Sequence, residues 1–149
     1  MGSVCLIDSN VLVYAVDRRE PEKRERALAL LQALWTGGTG ALSTQTLGEF
    51  IAVTTRRMPD PPSLADIHRQ VVVLANTFTV YDVTLPIVLD AARAARDHQM
   101  SYWDAQVWAT AKLNQIPRVL TEDIPGYGSL EGVRFINPFA DAFDLTSLT

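Results

Sequence analysis

The sequence predicts an α/β protein whose parallel strands are separated by helices. Short apolar segments with strand-like composition alternate with longer segments whose apolar residues recur at helical spacing. The first segment, residues 4–7, is apolar throughout and ends at Asp8. A strand of this kind is typical of a buried parallel sheet whose carboxyl end opens into an exposed turn. Parallel strands need crossover connections, so we expect helices on both faces of the sheet.

Taken in order, the predicted strands are residues 4–7, 40–43, 78–81, 116–121 and 133–136. A short helix over 10–16 follows the first strand. The later helices begin at recognisable signals, namely Pro21 in a first turn, Ser43 or Thr44 as a cap, Ser63 three residues before Asp66, Thr84 with Pro86, and Ser101. Residues 124–132, rich in glycine and proline, are predicted to form a loop.

The clearest break in the chain is the proline-rich stretch 58–62, which we interpret as a loop because a domain boundary there would leave two fragments with thin cores. The prediction is therefore one domain over residues 1–149. The composition, 48% hydrophobic and 20% charged, excludes a disordered or fibrous chain. No apolar run approaches the roughly 18 residues of a membrane span. The single cysteine, Cys5, excludes a disulfide framework, so we expect a cytoplasmic protein without a membrane partner.

The charge balance limits how the protein can contact nucleic acid. A net charge of −4 argues against an extended basic face that grips nucleic acid, although it does not exclude nucleic acid as a substrate. Basic residues cluster in one short segment, at Arg18, Arg19, Lys23, Arg24 and Arg26. This cluster fits either a solvated helix start or a patch that contacts phosphate.

Four carboxylates occur where packing and solubility do not require an acid. Asp8 ends the first strand and Asp123 follows the fourth, although a turn-forming aspartate would also suit the latter position. Glu49 lies early in the helix after the second strand, where an acid also favours the helix dipole. Asp104 either caps its own helix together with Ser101 or lies toward the core, because it shares a helical stripe with Trp108.

These acids are predicted to converge. In a doubly wound sheet the ends of the first and fourth strands are neighbours if the strand order reverses between them. Asp8 and Asp123 would then face one crevice, within reach of the Asp104 helix. Acids so close together repel one another unless a divalent cation neutralises them. Because the two histidines lie elsewhere in the sequence and Cys5 is expected to be buried, the ligands would be oxygens, which favours Mg²⁺ or Mn²⁺.

At this point the sequence resembles a known family. The motifs are Ile7-Asp8-Ser9-Asn10, Glu49, Tyr102-Trp103-Asp104-Ala105, Leu120-Thr121-Glu122-Asp123 and Asn137-Pro138-Phe139. They resemble the PIN-domain ribonucleases, and within these the VapC-type toxins of bacterial toxin–antitoxin modules. The resemblance covers almost the whole chain. Ser9 departs from the pattern, which more often has threonine there, but the hydroxyl is retained.

The resemblance implies a three-layer α/β/α fold with a five-stranded parallel sheet in the order 3-2-1-4-5. It also implies an endoribonuclease dependent on Mg²⁺ or Mn²⁺, with Asp8, Glu49, Asp104 and Asp123 as the catalytic acids. In the hypothesis for metal binding, Asp8 and Asp104 hold the cation directly and Asp123 completes the ligand set. Ser9, Asn10 and Thr121 support the site. The implied partners are an RNA substrate, a small antitoxin whose tail enters the active site, and a second copy of the chain in a homodimer.

Other interpretations are weaker. A haloacid-dehalogenase-like phosphatase would have an Asp-x-Asp motif after the first strand, whereas this chain has Asp8-Ser9-Asn10. A nuclease that is not a toxin, or a catalytically inactive binding module, remains an alternative. Three aromatic residues, Tyr102, Trp103 and Trp35, are interpreted as core residues, with base stacking as the alternative.

Overall fold

The computed structural model describes residues 2–123, 126 and 128–148. Within these residues, six strands form one sheet: β1 (Cys5–Ile7), β2 (Gly40–Ser43), β3 (Thr79–Tyr81), β4 (Arg118–Leu120), β5 (Ser129–Leu130) and β6 (Val133–Ile136). Their order is β3-β2-β1-β4-β6-β5, and every neighbouring pair is parallel except β5 with β6. With β6 as the predicted fifth strand, the parallel order 3-2-1-4-5 is confirmed.

The prediction of a loop over 124–132 is wrong for β5. Glu131 and Gly132 join β5 to β6 as a two-residue turn, with φ of 47° and 88°. Positive φ at both positions is the geometry of a type I′ hairpin turn, which glycine adopts without strain. A strand of two residues is too short to show an alternating pattern, and Glu-Gly is a weaker signal than Asn-Gly. Residues 124, 125 and 127 of the predicted loop lie outside the described residues.

The helices are α1 (Ser9–Tyr14), α2 (Pro21–Gly37), α3 (Thr44–Arg56), α4 (Leu64–Thr77), α5 (Leu85–His98) and α6 (Tyr102–Leu113). A final 3₁₀ turn, Leu145–Leu148, was not predicted. Three serine caps were, since Ser43, Ser63 and Ser101 each accept a hydrogen bond from the backbone N–H three residues later. None of these helices, within the described residues, is long and apolar enough to cross a membrane.

The strands divide the interior into two apolar layers. In β1, Leu6 packs into the layer formed with α5 and α6, whereas Cys5 and Ile7 face the layer formed with α1, α2, α3 and α4. All three side chains are fully buried. The period of two along a strand therefore serves both faces at once, and the predicted α/β/α arrangement is confirmed.

The hairpin of β5 and β6 is fastened to the helices by polar contacts. Trp108 of α6 is fully buried and its indole N–H donates to the Leu130 carbonyl at 3.0 Å. Glu131, in the turn, accepts from Arg93 at 3.1 Å and from Lys112 at 3.5 Å. These contacts hold the edge of the sheet beyond β6 against α5 and α6.

The other two tryptophans are on the surface. The side chain of Trp35 is 57% exposed and that of Trp103 is 63% exposed. Their interpretation as core residues is therefore wrong, because a helical position alone does not tell which side of the helix meets the sheet. Tyr102 is partly buried and packs against the layer beneath α5 and α6.

Candidate active site

The site lies where the strand order reverses. β1 and β4 are parallel neighbours with Ile7 opposite Leu120, so their carboxyl ends lie side by side. The Asp8 backbone N–H donates to the Leu120 carbonyl at 3.0 Å and extends the ladder by one bond. The residues that follow the two strands, Asp8 and Thr121, therefore meet at the position where open α/β sheets bind ligands.

The Asp8 side chain is oriented by two hydrogen bonds, one from the start of α1 and one from the turn after β4. Its side chain caps α1, because Oδ1 accepts from the Ser9 backbone N–H at 2.8 Å. Its second oxygen, Oδ2, accepts from the Thr121 hydroxyl at 2.9 Å. The carboxylate thus has a defined orientation before any ligand binds.

Thr121 connects the turn after β4 to the turn after β1. Besides donating to Asp8, its Oγ1 accepts from the Asn10 amide at 2.9 Å and from the Asp123 backbone N–H at 3.1 Å. The Asn10 carbonyl oxygen accepts in turn from the Glu122 backbone N–H at 3.2 Å. Asn10 and Thr121, both predicted to support the site, are thus placed between its acids.

Asp104 does two things with different atoms. Its backbone N–H donates to the Ser101 hydroxyl at 3.2 Å and so takes part in the predicted cap. Its carboxylate lines the same cavity as Asp8. Asp104 therefore takes part in the helix cap through its backbone N–H and also lies beside the acidic cavity, while its role as a site residue stays a prediction.

The structure brings three of the four predicted acids to one small cavity. Its volume is about 10 Å³, room for one water molecule or a small ion. It is lined by Asp8, Asp104, Val107, Val119, Thr121, Asp123 and Phe135. Glu49, on the adjacent helix α3, does not line this cavity, but its pKa is raised by burial and also by the charges of Asp8 and Asp104.

The surroundings of Asp8 and Glu49 favour their protonated forms. Burial raises the pKa of Asp8 above its ordinary value, and the charges of Asp104 and Asp123 raise it further against the hydrogen bonds from Ser9 and Thr121. Burial also raises the pKa of Glu49, followed by the charge of Asp8, while Gln45 partly opposes the shift. Without a counter-charge, the site is therefore strained by its own negative charge.

These residues fit a hard divalent cation. Glu49 Oε1 is buried and has no hydrogen-bond partner among the described residues. In that part of the chain, no group of three or more acidic, histidine or cysteine side chains, these acids included, is arranged as a ready-made metal site. Mg²⁺ suits such a site, because it is commonly held by one or two carboxylates and retains several waters.

Sequence reasoning missed a cluster next to Asp123. Lys23 of α2 donates to Glu122 Oε2 at 2.8 Å and to the Tyr14 hydroxyl at 3.2 Å, and Tyr14 donates to Glu122 Oε1 at 2.9 Å. The Glu122 carboxylate and the Tyr14 hydroxyl raise the pKa of Lys23. Tyr14 also packs edge-on against Phe139, with ring centroids 4.8 Å apart. No local pattern connects residues so far apart in the chain.

The basic cluster after α1 is largely used within the protein. Arg19 forms an ion pair with Asp17 at 2.9 Å, Lys23 binds Glu122, and Arg26 donates to the Phe139 and Ala140 carbonyls. Arg18 and Arg24 line a surface cavity of about 540 Å³. Pairing within the protein thus engages three of these five residues, an outcome that neither sequence interpretation, a solvated helix start or a phosphate-contacting patch, had included.

The protein belongs to the class of open α/β sheets that carry an acidic cavity at the point where the strand order reverses. Within that class, the PIN domain family model matches residues 5–124. The chain therefore belongs to the PIN domain family. The comparison with curated protein sequences gives no match.

Solved structures agree with this assignment of the fold. FitAcB from Neisseria gonorrhoeae is 21% identical with a TM-score of 0.66, and the alignment covers 91% of this chain and 98% of that one. A toxin–antitoxin complex from Klebsiella pneumoniae is 18% identical with a TM-score of 0.64, over 91% and 98%. The sarcin–ricin loop cleaving toxin VapC20 of Mycobacterium tuberculosis is 20% identical with a TM-score of 0.61, over 87% and 98%.

Proposed function

We propose that this chain is an endoribonuclease dependent on Mg²⁺ or Mn²⁺ and the toxin of a toxin–antitoxin pair. The observation that carries the proposal is the meeting of Asp8, Asp104 and Asp123 at one cavity of a PIN domain. The similarity to a sarcin–ricin loop cleaving toxin supports RNA as the substrate, and the similarity to toxin–antitoxin complexes supports the biological role.

In this proposal Asp8 and Asp104 would hold the cation, with Asp123 and Glu49 as further acids that would hold it through water or hold a second cation. The chemistry that a bound divalent cation would supply is polarisation of the scissile phosphate and a lower pKa of the attacking water. Asn10 and Thr121 orient the carboxylates from behind, while Ser9 fixes Asp8 through its backbone N–H. Glu49 is suited to accept the proton from water, because its pKa is raised and one of its oxygens has no partner in the described structure.

The direct test is incubation of total RNA with the purified protein in Mg²⁺, Mn²⁺ or chelator, with the new 5′ ends mapped. Wild type should cut RNA only with metal, and Asp8→Asn or Asp104→Asn should not cut it while retaining the wild-type circular dichroism spectrum. Asp97→Asn, an exposed acid at the far end of α5, is the matched control and should cut normally. Metal-dependent cleavage by both site variants would contradict the assignment.

In this proposal the antitoxin binds a groove in the layer formed by α1, α2, α3 and α4. Its volume is about 290 Å³, and it is lined by Leu12, Ala15, Val16, Leu31, Phe50, Arg69, Gln70, Val73 and Leu74. The lining is mainly apolar and comes from several helices, an arrangement that accepts the apolar face of an amphipathic helix. The cavity beside Arg18 and Arg24 is adjacent to it, since Ala15, Val16 and Gln70 line both. A partner helix seated here could therefore also pair acidic side chains with these arginines.

The toxin role and the homodimer have their own tests. Expression of the chain should arrest growth, and a small protein encoded next to it should reverse the arrest; a nuclease that is not a toxin would do neither. Leu85 and Leu89, one turn apart on α5, are 69% and 62% exposed and offer apolar surface to a second copy. Light scattering should show a dimer that Leu89→Asp converts to monomer. A chain that binds no Mn²⁺ by calorimetry would favour the inactive binding module.

A further inference from the structure

Trp103 lies in an unusual position for an exposed aromatic residue. Its side chain is 63% exposed, yet it directly precedes Asp104, whose carboxylate lines the acidic cavity. Trp103 and Asp104 both belong to the first turn of α6. An exposed indole adjacent in sequence to a residue of the acidic cavity is a candidate to contact the nucleotides that flank a bond cut there.

The residue is held in place by the polar groups around it. The Trp103 carbonyl accepts from the Gln45 amide at 3.1 Å, and the Gln45 carbonyl oxygen accepts from the Gln106 amide at 2.9 Å. The Tyr102 hydroxyl donates to the Gln106 carbonyl oxygen at 2.8 Å. This chain of bonds joins the start of α6 to the start of α3, which carries Glu49. The Trp103 backbone is thus fixed relative to the acids of both helices.

The ring itself is also supported from one side. Tyr102 packs edge-on against it, with centroids 5.2 Å apart and an interplanar angle of 75°. On α3, next to Glu49, Gly48 is exposed, and a Cβ there would meet no atom of the described residues within 4 Å. The indole is therefore supported on one side by Tyr102 and is otherwise largely exposed.

The lack of positive charge along the described lining of the acidic cavity favours base stacking as a source of RNA affinity. Among the described residues, no basic side chain lines the acidic cavity, and the nearby Lys23 is already bonded to Glu122. Because none of the described basic side chains lines this cavity, base stacking is one source of affinity for a single strand there. Aromatic side chains supply this, because unpaired bases stack on them whatever their sequence.

We propose that Trp103 stacks an unpaired base of a single-stranded RNA next to the scissile phosphate. The proposal rests on the proposed nuclease function and adds the way in which the substrate is held. It assigns the protein a single-stranded rather than a duplex substrate at this site, because paired bases do not present a free face. It also implies a shallow dependence of RNA affinity on salt.

The test measures binding without cleavage, in Asp8→Asn with Mg²⁺. Fluorescence anisotropy with a labelled mixed-sequence 12-nucleotide RNA should show that Trp103→Ala weakens binding roughly five- to hundredfold. Trp103→Phe should retain most of the affinity, and the annealed duplex should bind poorly. Trp35→Ala is the matched control: Trp35 is similarly exposed, at 57%, but lies at the end of α2 that leads into β2, away from the carboxyl edge of the sheet. It should bind as the parent does.

A second measurement reads the ring itself. In Trp35→Phe only Trp103 and the buried Trp108 remain, so RNA should quench the emission from the exposed one. Unchanged affinity in Trp103→Ala, an equal loss in Trp103→Phe, or no RNA binding by the parent would overturn the proposal. Lost binding together with a changed oligomeric mass would also overturn it, since the ring would then belong to a contact between copies. RNA binding through Trp103 in a chain whose wild type cuts no RNA would contradict only the proposed function.

Discussion

The Thr121 hydroxyl donates to Asp8 Oδ2 at 2.9 Å across a sequence separation of 113 residues. The same oxygen of Thr121 accepts from Asn10 and from the Asp123 backbone, so one hydroxyl is shared by the two turns that carry acids. Thr121 is 2% exposed, which keeps water from competing for these bonds. The relative placement of Asp8 and Asp123 therefore depends on a residue that bears no charge.

Thr121→Val should weaken metal binding while the protein still folds. The substitution keeps the shape but removes the acceptor for Asn10 and Asp123, at a cost of about 1 to 3 kcal/mol in the free energy of unfolding. We expect Mn²⁺ affinity, measured by calorimetry, to fall at least severalfold. Thr121→Ser keeps the hydroxyl and should bind Mn²⁺ almost as the wild type does. Equal affinity in the valine and serine variants would show that the hydroxyl does not position the acids.

Glu49→Gln should stabilise the metal-free protein at neutral pH. Burial raises the pKa of Glu49 above its ordinary value of 4.5, and Asp8 raises it further. Because the folded pKa lies above the unfolded one, the ionised carboxylate costs stability in full above the folded pKa. That cost disappears as the pH falls below the unfolded value.

The variant should have a higher Tm than the wild type in chelator at pH 7 to 8, because it removes the cost of the partly buried, ionised carboxylate. The difference between variant and wild type should shrink as the pH falls toward 4.5. Glu25→Gln, at an exposed position on α2, serves as the control and should leave Tm unchanged. A lower Tm for Glu49→Gln at neutral pH would contradict the prediction.

Lys23→Met should weaken metal binding through Glu122. Lys23 holds the Glu122 carboxylate at 2.8 Å, and Glu122 is the residue between Thr121 and Asp123. We therefore assign Lys23 a positioning role and expect the Kd for Mn²⁺ to rise a fewfold. Because the pair is partly exposed, at 35% and 27%, its effect on stability should be below about 1 kcal/mol.

The conservative variant Lys23→Arg provides the control for this role, since it keeps the charge and should restore Mn²⁺ affinity. A residue that merely supports the fold would move Tm and Kd together. If Lys23→Met lowers Tm by several degrees while Mn²⁺ affinity stays at the wild-type value, the positioning role is wrong.

Val73→Glu should abolish capture of the antitoxin without affecting RNA cleavage. Val73 is 62% exposed and lines the groove, so a charge there opposes an apolar helix but leaves the protein core intact. Val72→Glu is closely matched, because Val72 is the next residue on α4 and 45% exposed but does not line the groove. Co-purification with the adjacent-encoded protein should fail only for Val73→Glu. Equal capture by both variants would place the partner elsewhere.

Most of the fold could be predicted from the sequence because the signals for helices and strands are local. Apolar strands, serine caps and Pro21 each act within a few residues, and the structure agrees with them. The strand β5 was missed because two residues give no periodicity. Its position depends on contacts of Leu130 and Glu131 with residues of α5 and α6, which no local pattern reveals.

The meeting of the acids at one edge of the sheet was predictable for a different reason. The carboxyl ends of parallel neighbours lie side by side whatever their side chains, so acids placed after the first and fourth strands must meet. The cluster of Tyr14, Lys23 and Glu122 depends instead on where α2 crosses the sheet. Exposure of Trp103 likewise depends on how α6 is rotated, and apolar character alone suggested the opposite. Topology thus reached the acids but not the side chains that support them.

The capping of α6 has a genetic consequence. Ser101 binds the backbone N–H of residue 104, so the helix keeps its cap whichever side chain stands there. One base change in an aspartate codon gives asparagine, and we expect such a chain to lose catalysis yet keep its fold and its groove. Under the proposed function, an inactive copy would still bind the antitoxin in its groove. Less antitoxin would then be left to inhibit the active copies, so a mutation that inactivates one molecule would increase the activity of the others.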